Sequence, residues 1–283
     1  MSFRPPLFGG LGLSVGLLCC TVAAVAYQRE FREYPSPEYR TFEVPADYKQ
    51  PGEFVLGHLM YPDNGCQGGF GRRGRQDWRQ GMTDWTNDYP RADRHLASAI
   101  RRLTSIETRS VEQPVNLEDG DDVFDWPFLY AVRTCAIDLT PDMVNKLREY
   151  IDRGGFFVAD DMWGEREQVA IQELVAQLYP DRELVELDND ALAFHMLFDL
   201  NNRYQIIGAW GRACQCPLHG GADESTPHWK GVFDKKGRMV IAIWFNNDTG
   251  DSWEWADDPS YPEKWSALGI RMAVNHIAYA MTH

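Results

Sequence analysis

Apolar residues along the chain fall into two periods, separated by polar stretches rich in Gly, Pro and Asp. Short apolar runs at 54–61, 127–132 and 156–159, each stopped by turn residues or charges, predict buried strands. Between them the spacing turns helical. Pro90 opens a helix over 90–104 with Leu96, Ile100 and Leu103 on one face. Thr140 caps and Pro141 starts a second, lined by Val144, Leu147 and Ile151 and ended by Gly154-Gly155. A third helix is expected over 165–178, then a strand at 183–187, an apolar patch at 192–198, and a hairpin over 229–245 turning at Asp234-Lys235-Lys236-Gly237. A last helix over 262–281 places Trp265, Leu268, Met272 and Tyr279 together. This alternation predicts an α/β fold, a mostly parallel sheet covered by helices with an antiparallel edge hairpin. In such folds ligands collect at the carboxyl ends of the strands.

Ahead of these elements, Leu7 to Tyr27 is a run of 21 positions without a charge. As a helix it would rise roughly 31 Å, about the thickness of a bilayer core. Arg4 precedes it, so a single pass through the inner membrane is expected, with the N-terminus cytoplasmic and the domain periplasmic. Ala24-Val25-Ala26 equally suits cleavage of a signal peptide, which would secrete the domain. Residues 1–27 are thus an anchor or signal peptide. Residues 28–52, with Pro35, Pro37, Pro45 and Pro51, read as an extended tether, and 53–283 as one α/β domain.

Charge and cysteines narrow the setting. The 42 acidic against 28 basic residues give a net charge of -14, which repels phosphates and excludes a general nucleic-acid surface. Cys66, Cys135, Cys214 and Cys216 allow three disulfide pairings and suit an oxidising compartment. Cys214-Gln215-Cys216 with His219 and His228 offers a zinc alternative, at a Cys spacing tighter than structural zinc sites use. Gly69-Phe70-Gly71-Arg72-Arg73-Gly74 matches GxGxxG in form, but it stands apart from the strand before it and no apolar helix follows, so it reads as a loop.

Three acidic clusters sit where strands end or helices begin. Asp160-Asp161 follows the run 156–159, with Trp163 beyond it. Asp84, Asp88, Tyr89 and Asp93 surround the start of the first helix. Asn246, Asp248, Asp251, Trp253 and Glu254 follow the hairpin. Paired carboxylates can hold a hard cation, act as acid and base, or bind sugar hydroxyls. They can as well cap helices and anchor loops. No cofactor is expected beyond calcium at the third cluster, where Gly250 and Asp257 fall at the wrong positions for an EF-hand. Trp85, Trp163, Trp253 and Trp255 could floor a sugar site, although most large aromatics pack in cores. Covalent catalysis lacks a G-x-S-x-G or G-x-C-x-G elbow, and Cys135 has no glycines beside it to allow a sharp turn. His95, His195 and His276 read as structural histidines.

The strings Thr83-Asp84-Trp85, Asp88-Tyr89-Pro90-Arg91-Ala92-Asp93, Phe124-Asp125-Trp126-Pro127-Phe128-Leu129-Tyr130, Arg153-Gly154-Gly155-Phe156-Phe157-Val158-Ala159-Asp160-Asp161 and Gly250-Asp251-Ser252-Trp253-Glu254-Trp255-Ala256-Asp257 resemble a bacterial domain-of-unknown-function family, number 4159. The resemblance spans nearly all of 54–283. It implies a three-layer, flavodoxin-like sandwich similar to class I glutamine amidotransferases, exported or membrane-tethered and placed in membrane or envelope assemblies. It brings no catalytic assignment. Asp190-Ala191-Leu192-Ala193-Phe194-His195 departs from the family's Asp-His-Pro-x-Phe-His string, and the missing elbow argues against amidotransferase activity. The expected function is that of a docking or scaffolding subunit with a membrane-protein or envelope partner. A carbohydrate-directed hydrolase or binding protein, with or without calcium, is the alternative.

Overall fold

The computed structural model describes residues 30–65, 77–209 and 224–283. Residues 7–27, the glycine loop 69–74, Cys66, Cys214 and Cys216 lie outside them. No helix among the described residues is long and apolar enough to cross a membrane.

Seven strands make one sheet. They are β1 (Leu56–Met60), β2 (Gln113–Asn116), β3 (Phe128–Ala131), β4 (Phe156–Ala159), β5 (Leu184–Glu186), β6 (His228–Phe233) and β7 (Met239–Phe245), ordered β2-β1-β3-β4-β7-β6-β5. β2, β1, β3, β4 and β7 pair in parallel, and β6 and β5 add an antiparallel edge. The helices are α1 (Arg91–Leu103), α2 (Pro141–Asp152), α3 (Gly164–Leu178), α4 (Thr249–Glu254) and α5 (Glu263–Thr282).

Side chains alternate across each strand, and this builds two cores. Leu129, Ala131, Phe157 and Ile241 pack with Leu147 of α2 and Leu174 of α3. Phe128, Tyr130, Phe156 and Ala242 face Leu96 of α1 and Met272 of α5. Strands covered on both faces are apolar at nearly every position, which is why β3, β4 and β7 stand out in the sequence. The result is a three-layer α/β sandwich.

Four details differ from the sequence reading. The first is β2, a sheet-edge strand where Pro114 forfeits no central ladder bond. Second, Pro90 is the residue before α1, and Leu103 at its end is exposed because the apolar face of α1 has already left the core. Third, 249–254 forms α4, capped by Asp248, whose side chain accepts from Asp251 N. Lastly, residues 33–47 do not hang free: they strap α1. Arg94 of α1, buried, donates to Glu33, to the Phe42 and Glu43 carbonyls at 3.1 and 3.0 Å, and to Glu112 at 3.3 Å. Arg101 Nη1 reaches Asp47 at 2.6 Å.

Candidate functional site

The carboxyl ends of β3, β4 and β7 meet the start of α1 and the body of α4. The backbone is strained there. Arg133 after β3, Asp161 after β4, Asn246 after β7 and Asp88 before α1 have φ between 48° and 59°. Such left-handed conformations cost about 1–3 kcal/mol for a residue other than glycine, and Asn and Asp tolerate them best.

Five carboxylates from all three predicted clusters converge around Gly250. Asp160 Oδ2 accepts from the Tyr130 hydroxyl and from Gly250 N, both at 2.9 Å. Asp251 accepts from Ala209 N at 2.6 Å, Asn87 Nδ2 donates to Asp88 Oδ1 at 2.5 Å, and the Tyr39 hydroxyl donates to Glu254. One oxygen each from Asp88, Asp251 and Glu254 lie within 4.8 Å of one another. Two glycines make room for this crowding. A Cβ on Gly250 would overlap Asp88 Oδ2 and lie 2.7 Å from the Tyr130 hydroxyl, and one on Gly208 would overlap Asp248 Oδ2.

All five are buried, and among the described residues no Lys or Arg bonds to them. A carboxylate that loses water without gaining a cation keeps its proton. Burial, with Asp161 alongside, pushes Asp160 up to about 8. Burial and Asp251 push Glu254 up to about 10. Burial and the neighbouring carboxylates hold Asp88 and Asp248 well above the usual range, and burial raises Asp251.

The remaining predicted residues serve neighbouring groups. Arg133 Nε lies 3.1 Å from Asp84, and its Nη1 is 3.8 Å from Asp161. Burial disfavours that guanidinium, but Asp161 and Asp84 outweigh it and hold it above its usual range. Trp163 Nε1 donates to Asp161 at 2.7 Å. Asn246 Oδ1 accepts from Gly164 N and Glu167 Oε2 from Trp163 N, each at 2.9 Å. The start of α3 is therefore capped by these two and not by Asp160 or Asp161. Asp93 does more than complement the α1 dipole: His58 Nδ1 donates to it at 2.9 Å while His58 Nε2 donates to the Trp85 carbonyl at 2.7 Å. Both partners are acceptors, which fits an imidazolium. Burial lowers the His58 pKa, and Asp93, the Trp85 carbonyl and Glu112 together more than restore it, so the net direction is up. Tyr89 packs edge-on against His58, and its hydroxyl accepts from Tyr34 N at 3.2 Å.

Of the four predicted tryptophans, Trp85, Trp163 and Trp253 are at most 3% exposed and pack in the interior, while Trp255 is half-buried with the Arg91 guanidinium 4.7 Å from its ring centre. The sharp turn missing from the sequence reading is present, however. Arg133 makes it without glycine, and the Tyr61 hydroxyl ties down the carbonyls of Val132 and Arg133 at 2.7 and 3.0 Å. A strained strand-to-helix turn of this kind presents the nucleophile in elbow folds. Here it presents a guanidinium, and Cys135 is disulfide-bonded to a partner outside the described residues.

Sequence reasoning missed Tyr39, His58, Tyr130 and Arg133. His58 and Tyr130 are register partners on β1 and β3, and their signal was a polar group at an inward position of an apolar strand. Also missed was an open cleft of about 1110 Å³ at the opposite end of the sheet, beside the starts of β4 and β7 and the last turn of α5. It carries Arg153, Arg182, Lys235, Lys236 and Arg238 against Asp152 and Asp234. Asp234 is spent inside the hairpin turn, accepting from the backbone of Lys236 and Arg238 at 2.8 and 2.9 Å.

A comparison with curated proteins finds no match. The family model described as "domain of unknown function (DUF4159)" matches residues 77–281, well over half of the chain, and the protein belongs to that family.

Proposed function

We propose that the chain is a membrane-tethered, extracytoplasmic accessory domain that docks an acidic segment of a membrane or envelope protein in the cleft at the starts of β4 and β7. The observation that carries this is the concentration of five basic side chains on one open cleft of a chain whose net charge is -14. Complementary charge steers and orients such a partner, while the rest of the surface repels it. Other features agree. The strand-end centre is closed, its elbow holds Arg133, and Cys135 is tied into a disulfide, which suits an oxidising compartment. Residues 7–27 supply the membrane anchor in this reading. Taken in chain order, the five parallel strands run 2-1-3-4-5, the flavodoxin-like order, and this supports the sandwich expected of glutamine amidotransferase-like proteins.

The test is co-purification of the full chain from membranes in mild detergent, beside a variant carrying Arg153→Glu, Lys235→Glu and Lys236→Glu. Wild type should retain a membrane partner that is lost in the variant and in high salt, with the circular dichroism unchanged. A monodisperse monomer, or a partner indifferent to both charge reversal and salt, would overturn the proposal.

A further inference from the structure

The centre around Gly250 has the composition of a cation site. Asp88, Asp251 and Glu254 come from the start of α1 and from α4, yet one oxygen of each lies within 4.8 Å of the other two. Oxygens at such separations can share one ion at roughly 2.3–2.6 Å, the usual calcium-to-oxygen distance. Their outer oxygens are already engaged, Asp88 Oδ1 by Asn87 and Glu254 Oε1 by the Tyr39 hydroxyl. Both remaining oxygens, Asp88 Oδ2 and Glu254 Oε2, are buried; Asp88 Oδ2 has no hydrogen-bond partner, whereas the Glu254 carboxyl faces that of Asp251 closely enough to share a proton with it in the cation-free fold. Asp88 is 2% and Glu254 1% exposed, so water does not serve them in bulk. Asp88 Oδ2 points into the space that the missing side chain of Gly250 leaves open. Buried carboxylates that carry their charge are paired or ligate metals, and the Arg91 guanidinium, which shares the Tyr39 hydroxyl with Glu254, is taken by Tyr39 and Asp257.

We propose that Asp88, Asp251 and Glu254 bind one calcium ion, with Asp248 beside them to complete an all-oxygen set. The donors select the ion. Three carboxylates without a histidine or thiol are hard ligands, which disfavours zinc and copper. Irregular placement on a loop end and a short helix suits the adaptable calcium sphere better than the strict octahedron of magnesium. The bound ion would tie α1 to α4, and with Tyr39 on Glu254 it would also hold the strap 33–47 in place.

The experiment uses the full chain in detergent, stripped with EDTA and then titrated with calcium chloride, magnesium chloride or zinc chloride by calorimetry and thermal denaturation. One calcium per chain should bind and raise Tm by several degrees. Asp88→Asn and Glu254→Gln should each weaken calcium binding at least tenfold and abolish the shift, while Asp257→Asn should keep both. Absence of calcium binding by the wild type, a preference for magnesium or zinc, or calcium binding untouched by Asp88→Asn and Glu254→Gln would each overturn the assignment. The wild-type titration decides even if a variant fails to fold.

Discussion

Asp160 is fully buried beside Asp161, and the hydrogen bonds from Tyr130 and Gly250 do not offset the loss of water, so its pKa rises to about 8. A carboxyl whose folded value exceeds its unfolded value stabilises the fold below the unfolded value, and that contribution is lost as pH climbs through the folded one. Between about pH 4 and 8 each unit should remove about 1.4 kcal/mol. Asp160→Asn keeps an acceptor for Tyr130 and Gly250 and cannot ionise. In EDTA the variant should match or fall below wild type at pH 5 and exceed it at pH 8 in urea denaturation, and parallel profiles would show that Asp160 is already ionised in the fold. Residues of this kind were half legible. The Asp motifs marked the strand ends where carboxylates converge, but which of them meet and which serve as caps depends on loops from α1, β4 and α4 arriving together. Asn246 and Asp248 stand two residues apart in sequence and do different work.

The strap over α1 is held through one side chain above all. Arg94 and Glu112 are both buried, and removing one member of such a pair leaves the other unpaired, at a cost of about 3–5 kcal/mol. Arg94→Ala should therefore lower stability by about that much and expose 33–47 to protease before the domain is cut. Equal cleavage in wild type and variant would show that the other contacts suffice. No period marks this strap: its prolines and polar residues look like a linker because their partners lie some fifty residues away on α1. β2 and α4 were hidden for related reasons, since β2 is a polar edge strand containing Pro114 and α4 spans under two turns. The central strands were legible as continuous apolar runs because both their faces are covered, and the helices over them by a one-sided apolar period. Those at the rim are set by partners distant in sequence.

Across the described residues, far more acid than base is buried. Among the described residues, Asp84, Asp88, Asp93, Glu112, Asp160, Asp161, Glu167, Glu224, Asp248, Asp251 and Glu254 are buried, against Arg94 and Arg109 alone of the Lys and Arg side chains. Burial, with neighbouring carboxylates in most cases, raises the pKa of Asp88, Glu112, Asp160, Glu167, Asp248, Asp251 and Glu254. His58 shifts upward as well. The formal -14 therefore overstates the charge of the cation-free fold. The groups held low, Asp47, Asp234 and Asp257, act only below the usual carboxylate range. Burial lowers His276 to about 4, and its opposing effect is spent by about pH 6.5. Near neutrality the fold thus binds more protons than the unfolded chain, and stability must fall as pH rises. In EDTA, Tm should drop from pH 6.5 to 8, and unfolding at pH 7 should release protons, seen as a difference in calorimetric enthalpy between phosphate and Tris buffers. Calcium, which must displace protons from Asp88, Asp251 and Glu254 to bind, should flatten that slope and reduce the release. A Tm that rises with pH in EDTA would mean that these carboxyls are ionised in the fold and neutralised by basic groups instead of protons.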